Sequence, residues 1–369
     1  PNLIFNTKGQ LNLQLLHTKY SSDDKTDYNL SPIPSHPDVH RVKTNIIGNV
    51  TIAEDGSYVK GNAIGRSFKP DLAIGNGDHL LVTGINNYLD KEDTSFFDAS
   101  HTKYATKNHG YLCKYSDQRN LVWHKKSHPS YYTEIARVSQ SKDGVLWAVT
   151  GRTAKFELID ENDNRTNFPA YPSNHHKIGL AKFTDSGILV WQKTLTSDFV
   201  DWTAIDHQIK LLDNGSFYIA GAANGPIDID PEPPMDHIGK FDHYGYYYLI
   251  KYDANCNPLW ARHIKGQSYG NFFAPRIAVS NQGDVWVCVN YRDSISPGDP
   301  AKDIYFKGAK ANGTNSILFK YDDKGNFLKA VPILSPDLVS IRDLHLTEGL
   351  HPMVTGMVAG KVYPNPEDT

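Results

Sequence analysis

Apolar and polar residues alternate with a period of two in short segments that recur along the chain. The segment Tyr111–Tyr115 leads to Asn120–Trp123, and similar pairs of segments follow at Gly179–Trp191, Tyr248–Trp260 and Ile317–Lys329. In each copy a small or apolar residue and an aromatic ring stand two positions apart, which places them on one face of a strand. The pattern therefore predicts paired β-strands.

The paired segments repeat at a fixed interval. Their equivalent positions Trp123, Trp191, Trp260 and Lys329 are separated by 68, 69 and 69 residues. Residues that favour tight turns, such as Thr184–Gly187, join the two segments of each copy. Each copy is therefore predicted to be a β-hairpin, and the fixed period predicts a repeat architecture.

A second hairpin follows each first one and has its own tight turn. These turns contain Gly144, Gly215, Gly283 and Gly349. Two hairpins per period give four strands, and no helical pattern separates the copies. A four-stranded sheet of this kind buries both faces only against copies of itself, so the pattern predicts an all-β β-propeller with four antiparallel strands per blade. A β-sandwich with coincidental internal similarity is the alternative.

Counting the hairpins leaves the number of blades between five and six. Further hairpins are predicted at 3–16, 49–63 and 72–84, which makes eleven in all. Either the hairpin at 3–16 completes the blade begun by 339–359, or it forms a blade with 49–63 and the last blade is incomplete. We expect six blades, with five as the alternative, in a single domain of residues 1–369. Loop insertions are expected near 20–44, 86–108 and 152–176.

The repeated strands resemble a known family. The Leu-x-Lys-Tyr-Asp strand, the Leu-x-Trp strand and the following Asp-Gly hairpin are similar to bacterial SBBP-type β-propeller repeats over residues 71–359, most closely at 217–231. The resemblance implies a secreted or cell-surface propeller and supplies no catalytic motif. Residues 362–366 resemble the start of the sorting domain of the type IX secretion system, with a proline-flanked linker as the alternative.

Composition narrows the expected partners. The net charge is −3, and Lys, Arg, Asp and Glu are mixed along the chain, so nucleic-acid binding is not expected. No apolar run is long enough to span a bilayer, so membrane insertion is not expected. The 3 cysteines, Cys113, Cys256 and Cys288, lack metal-ligand spacing and do not predict a disulfide framework. The oligomeric state stays open.

Aromatic residues precede the first strand of several predicted blades. Rings at one rim of a propeller provide a large contact area for a glycan or a protein partner. Packing between blades is the alternative explanation for their regular spacing. The candidate ligand-binding aromatic residues are Tyr131, Tyr132, Trp202, Tyr269 and Phe272.

Charged residues lie on the strands predicted to line the central channel. Arg137, Arg276 and Arg342 are candidate ligand-binding residues, because an arginine can neutralise a uronate or a phosphate. No nucleophile–base pair or phosphate-binding loop accompanies them. The sequence therefore favours a non-catalytic binding module, such as an adhesin, a lectin-like module or an assembly component. A polysaccharide lyase or hydrolase acting at the channel mouth is the alternative.

An acidic stretch is the candidate metal site. Asp228, Asp230 and Glu232 alternate along an extended segment, which places their carboxylates on one side. Oxygen ligands of this kind suit calcium, although backbone carbonyls would have to complete the coordination. An exposed acidic loop is the alternative, and no other cofactor is expected.

Overall fold

Strands and tight turns make up the part of the chain that the structure describes. No helix occurs in these residues, and the strand pairs with a defined register are antiparallel. The prediction of an all-β protein built from antiparallel sheets is confirmed. The computed structural model describes residues 3–5, 11–18, 45–52, 58–66, 68–74, 79–86, 109–116, 121–127, 133–151, 157–160, 165–167, 177–196, 207–223, 226–230, 237–238, 245–266, 275–300, 304–309, 314–335, 337–347 and 349–360.

The first fourteen described strands lie between residues 3 and 196. They are β1 (Leu3–Phe5), β2 (Leu11–Thr18), β3 (Asn45–Ile52), β4 (Tyr58–Arg66), β5 (Phe68–Ile74), β6 (Leu80–Asn86), β7 (His109–Tyr115), β8 (Leu121–Ser127), β9 (Thr133–Ser141), β10 (Gly144–Gly151), β11 (Glu157–Asp160), β12 (Arg165–Asn167), β13 (Lys177–Phe183) and β14 (Leu189–Thr196).

The second half continues the same pattern. Its strands are β15 (His207–Leu211), β16 (Phe217–Ala223), β17 (Ile227–Asp228), β18 (His237–Ile238), β19 (Tyr246–Tyr252), β20 (Pro258–Gly266), β21 (Arg276–Val279), β22 (Val285–Tyr291), β23 (Ser294–Ser296), β24 (Phe306–Lys307), β25 (Asn315–Tyr321), β26 (Phe327–Ile333), β27 (Leu338–Leu346) and β28 (Pro352–Ala359).

The strands assemble into repeated four-stranded meanders. The orders β1-β2-β3-β4, β5-β6-β7-β8, β9-β10-β13-β14, β15-β16-β19-β20 and β21-β22-β25-β26 each occur within one sheet. Strands β27 and β28 form a two-stranded sheet among the described residues. All eleven predicted hairpins are therefore found in the described part of the chain, and the hairpins near 3–16 and 49–63 share one sheet.

Contacts within the chain define two compact units. The first comprises 1–140, 147–171 and 186–188, and the second comprises 141–146, 172–185 and 189–369. The sheets that contain β15–β28 therefore belong to the second unit.

A hydrogen-bonded chain ties together the core of the first unit. The buried indole of Trp147 donates a hydrogen bond of 2.8 Å from Nε1 to Oγ1 of Thr83. The Thr83 hydroxyl in turn donates to the carbonyl oxygen of Tyr111, at 2.5 Å. These polar groups are buried, and an unmet donor there would cost about 1–3 kcal/mol. The chain of bonds therefore fixes how the three strands pack.

A five-residue turn with an aspartate at its start recurs in the hairpins of the second unit. The Asp322 carboxylate accepts hydrogen bonds from the backbone N–H groups of Lys324 and Asn326, at 3.0 and 2.8 Å. Asp253 accepts equivalent bonds in the preceding copy. The fourth turn residue is left-handed, with φ of 83° at Gly325. The hydrogen bonds explain the aspartate at the start of both turns, and the left-handed fourth position is Gly325 in one and Cys256 in the other.

Strand β22 lies at the centre of a stack of sheets in the second unit. Val285, Val287 and Val289 pack in one cluster with residues of β16 and β19. Trp286 and Cys288, on the opposite face, pack in another cluster with residues of β27. A sheet in a two-layer sandwich leaves one face to solvent, whereas every residue of β22 is buried. Successive sheets of the second unit therefore stack face to face.

The repeated tryptophans join one sheet to the turn of the next. Trp191 donates from Nε1 to the Ala254 carbonyl at 2.9 Å, and Trp260 donates to the Asp323 carbonyl at 2.9 Å. In both pairs the donor and acceptor are 63 residues apart. The equivalent position after β25 is Lys329. The following sheet, β27–β28, has no third and fourth strands in the described residues, and therefore no turn for a tryptophan at this position to meet.

In three sheets, a short strand after the second strand connects the sheet to the previous one. Strand β11 pairs with β8, β23 pairs with β20, and β17 contacts β14. The insertion at 152–176, which we expected as a loop, contains β11 and β12. Of the other expected insertions, residues 20–44 and 87–108 lie outside the described residues.

Candidate functional site

The first strands of three successive sheets lie side by side in the second unit. Strand β21 contacts both β15 and β27. Arg276 stands seven residues before Gly283, the left-handed residue of the turn that follows β21. Arg342 stands eight residues before Leu350, which has the same conformation after β27, and one extra residue in β27 accounts for the difference. The fold therefore brings these two arginines to one level of neighbouring strands.

The extra residue is a β-bulge at Arg342. Ile341 pairs with Gly356 and Asp343 pairs with Thr355, so Arg342 has no partner in β28. The bulge lets Leu344 continue the buried face of Val339 and Ile341, as all three pack in one cluster. A Cβ on Gly356 would meet the Ser340 carbonyl, so a glycine is required opposite the bulge. Bulges of this kind redirect side chains and are frequent beside functional sites.

The two arginines are directly connected. Nε of Arg276 donates a hydrogen bond of 2.5 Å to the carbonyl oxygen of Arg342. Both side chains are partly buried, so each retains access to solvent. The backbone carbonyl of Arg342, in the bulge, thus holds the Arg276 side chain close to Arg342.

An aspartate–histidine pair stands on the same strand. Nε2 of His345 lies 3.0 Å from Oδ2 of Asp343, and the two side chains are 32% and 17% exposed. Burial raises the pKa of Asp343, but the hydrogen bond and charge of His345, the Leu344 N–H and the charge of Arg276 outweigh it. The net effect holds the pKa of Asp343 below its usual value. The carboxylate is therefore ionised at neutral pH and orients the imidazole.

The thiol beneath this group is chemically inert. Cys288 pairs with Arg276 across β21 and β22 and is fully buried. Burial raises the pKa of the Cys288 thiol to about 12, with Arg276 opposing the shift. A protonated thiol is a poor nucleophile. Cys113, Cys256 and Cys288 are all free and buried, as expected from the absence of a disulfide pattern.

Strand β28 adds an apolar surface opposite the aspartate–histidine pair. Met353 pairs with His345 and Met357 pairs with Ser340. The two methionine side chains are 39% and 49% exposed. The surface of the β27–β28 hairpin therefore combines ionisable and flexible apolar side chains.

The structure brings together only some of the predicted ligand-binding residues. Arg276 and Arg342 meet, as described above. Arg137 is on β9, in the first unit, where its Nη1 donates to the Ala136 carbonyl at 3.3 Å. The remaining candidates lie outside the described residues: Tyr131, Tyr132, Trp202, Tyr269 and Phe272.

The candidate calcium ligands are only partly described. Asp228 is buried at the end of β17, where its Oδ1 accepts a hydrogen bond of 3.2 Å from the Asp230 N–H. Glu232 lies outside the described residues. Among the described residues, no three His, Cys, Asp or Glu side chains come together as a metal site. The described contact of Asp228 supports its own loop.

His345 is the functional residue that sequence reasoning missed. Arg342 was singled out on this strand from the sequence, but the Asp343–His345 pair that follows it was not. The spacing was available as a signal, since residues two apart on a strand share a face. The bulge at Arg342, which determines which face that is, leaves no mark in the sequence pattern.

Comparisons with known proteins do not assign a family. No protein-family model and no curated protein matches this chain. A crystal structure of a protein of unknown function from Bacteroides caccae is similar, with a TM-score of 0.33 and 10% sequence identity. The similarity covers 78% of this chain and 77% of that one. In the described residues, no helix has the length and hydropathy needed to cross a membrane.

Proposed function

We propose that the chain is a β-propeller with four-stranded blades, six in number, with five as the alternative. The arrangement within the second unit supports this proposal. Successive sheets stack face to face, β22 is buried on both faces, and the first strands β15, β21 and β27 are neighbours. In a propeller the first strand of each blade lines a central channel, which requires such neighbours.

The function we propose is that of a secreted or cell-surface binding module without catalytic activity, recognising a glycan or a protein. The observation that supports this proposal is the set of partly buried polar residues Arg276, Arg342, Asp343 and His345 on the neighbouring strands β21 and β27. We call it the β27 cluster. Preorganised polar side chains beside exposed apolar ones are typical of ligand sites. The aromatic residues predicted at the rim would extend this surface.

The binding function can be tested with unbiased ligand screens. The purified chain would be applied to a glycan array and used in a pull-down from surface extracts, with the double variant Arg276→Met/His345→Gln as the matched control. We expect retention of a defined ligand by the wild type and weaker retention by the variant. The proposal fails if the wild type retains neither a glycan nor a protein.

A polysaccharide lyase or hydrolase is a second candidate, favoured by one observation. His345 is oriented by Asp343, whose carboxylate also interacts with the charge of Arg276, and a base held close to a guanidinium group is the arrangement such an enzyme needs. The test is turnover of acidic polysaccharides, measured as new reducing ends. An enzyme would lose this activity in a His345→Gln variant, whereas a binding module would show none in the wild type.

A further inference from the structure

Strand β28 is the second strand of its hairpin, and it is exposed where the equivalent strands are buried. Every residue of β16 and of β22 is buried, whereas each residue of β28 is exposed or partly buried. The turns fix the equivalence of β22 and β28, because Leu350 has the left-handed conformation of Gly283. Met357 therefore corresponds to Asn290, and their exposed fractions are 49% and 7%.

In the two preceding copies a third strand covers the second one. Strand β19 pairs with β16, and β25 pairs with β22, both antiparallel. In both pairings a tyrosine, Tyr252 or Tyr321, lies opposite the first residue of the second strand. Among the described residues, β28 pairs with β27 and with no third strand. The repeat thus shows which kind of segment fits the other edge of β28, namely an extended antiparallel strand.

The exposed edge of β28 lacks the features that discourage strand pairing. Edge strands of natural sheets are usually protected by charged side chains or by prolines. Strand β26, at the edge of the neighbouring sheet in the described residues, contains Lys329 and Pro332. Strand β28 contains no Asp, Glu, Lys or Arg, and its one proline is Pro352, the first residue. Its backbone can therefore accept another strand.

The neighbouring sheet offers an apolar surface beside this edge. Val331 and Ile333 of β26 are partly buried and pack on the cluster that β27 helps to form. Ile264 of β20 is equivalent to Ile333, because the two residues pair with equivalent positions of β19 and β25. Ile264 is fully buried in a cluster that includes residues of β25. A third strand beside β28 would stand in the same relation to Ile333.

From these observations we infer that the β28 edge binds an extended segment of a protein partner by strand addition. Strand β25 indicates the chemistry of that segment, since its fully buried Ile317, Phe319 and Tyr321 stand two positions apart. Such a segment forms backbone hydrogen bonds with the edge and packs its apolar side chains against β26. The inference specifies a partner for the proposed binding function and rests on it, but it uses the β28 edge and not the β27 cluster.

The experiment measures binding of a peptide to the full chain. The fluorescent probe has the sequence of residues 315–333, which contains β25, its turn and β26. The control peptide has the same composition, but its apolar residues no longer alternate. We expect the probe to bind at least about tenfold more tightly than the control in fluorescence anisotropy, because alternation places its apolar side chains on one face.

Hydrogen exchange shows how the probe binds. Backbone amides that gain a hydrogen-bonding partner in a stable sheet exchange more slowly. We expect slower exchange within residues 352–359 when the probe is present, and unchanged exchange in β22, which is already paired on both edges. Binding of the probe without protection of β28 would indicate apolar adhesion and would overturn the inference.

Variants locate the binding to the edge. Met357→Lys and Val358→Lys each place a charge on β28, and each is expected to weaken binding of the probe about tenfold or more. The two positions lie on opposite faces of the strand, so one variant remains informative if the other fails to fold. The matched control is Leu259→Lys, at a 55% exposed position of β20, which pairs with β19 and β23. It is expected to change the affinity less than about twofold.

The outcomes separate this inference from the binding function. Equal binding of the two peptides, no binding of either, or an unchanged affinity in both β28 variants would overturn strand addition. A dimer of the chain in analytical ultracentrifugation that Met357→Lys abolishes would identify a second copy as the occupant, and would also overturn it. In any of these cases a ligand retained in the array or pull-down would preserve the binding function. Loss of every ligand in those screens would remove both.

Discussion

Strands β22 and β28 occupy equivalent places in their hairpins and are both rich in apolar residues, but they have opposite surroundings. Every residue of β22 is buried, and the strand is paired on both edges, with β21 and β25. Strand β28 pairs with β27 among the described residues, and its Met353, Met357 and Val358 are 39%, 49% and 52% exposed. Burial is therefore set by the neighbouring strands and sheets, and an apolar strand alone does not specify it.

The comparison separates a region that stabilises the fold from one that offers a surface. The sheet around β22 contributes buried residues to both described apolar clusters of the second unit. The β27–β28 hairpin buries one face against that core and leaves side chains of the other face accessible. The candidate ligand site is on the less buried of the two regions, which agrees with the general location of binding groups on supported surfaces.

The largest difference in stability between the two regions is expected when a core side chain is truncated. Phe319, on the strand paired with β22, is fully buried and packs on Phe306 and Phe327 with ring centroids 5.7 and 5.9 Å away. Phe319→Ala is expected to reduce the free energy of unfolding by about 3–5 kcal/mol. Met357→Ala, the control on β28, is expected to cost less than about 1 kcal/mol. Denaturant titration measures both, and equal losses would contradict the comparison.

A smaller difference in stability is expected when the tryptophan hydrogen bonds between neighbouring sheets are changed. Trp260→Phe removes the hydrogen bond to the Asp323 carbonyl and part of the packing against Gly325, and is expected to cost about 1–2 kcal/mol. Lys329→Trp restores the repeated residue at a position for which the described residues contain no acceptor turn, so we expect no gain in stability. Thermal unfolding of both variants is the measurement. Stabilisation by Lys329→Trp would show that another segment accepts the indole.

The turns of the β21–β22 and β27–β28 hairpins differ in the residue that adopts the left-handed conformation. The residue at the same turn position is Gly283 after β21 and Leu350 after β27, with φ of 91° and 58°. A left-handed leucine costs about 1–2 kcal/mol, and Leu350 is 44% exposed, so little burial offsets that cost. Leu350→Gly is therefore expected to stabilise the protein by about 1 kcal/mol in denaturant titration. Gly283→Ala, the matched change, is expected to destabilise it, because the added Cβ meets Asp323.

The smallest expected effect is on the pH dependence of the free energy of unfolding. The pKa of Asp343 is lowered in the folded protein, so its stabilising contribution is present above its unfolded pKa of about 3.9 and is lost as pH falls through the folded value. Asp343→Asn is expected to cost about 0.5–1 kcal/mol at pH 7 and less at pH 3. Unfolding at both pH values measures this. An equal loss at both pH values for Asp343→Asn would contradict the assignment.

The hairpins could be predicted from the sequence because their signals are local. Period-two alternation and turn residues identify each strand pair without knowledge of the partners. The tryptophans were also visible as a repeat, but their role was not, because the acceptor carbonyls of Ala254 and Asp323 belong to the next copy. The position equivalent to these tryptophans in the next copy is Lys329, and the described residues contain no acceptor turn for an indole there.

The short connecting strands and the site were harder to predict. Strand β11 lies in a polar insertion, and pairing with β8 determines its structure more than its own residues do. Arg276 and Arg342 were recognised as candidate binding residues from their positions. Their contact depends on a bulge and on the packing of two sheets, and neither has a local sequence signal. His345 was missed for the same reason.

The tryptophan links also constrain how the protein is made. The indole of Trp260 is synthesised 63 residues before the carbonyl that accepts its hydrogen bond. On the ribosome, the strands that carry Trp191 and Trp260 are thus made before the turns that accept their hydrogen bonds. A chain interrupted before Asp323 would therefore lack the acceptor that Trp260 bonds in the folded protein.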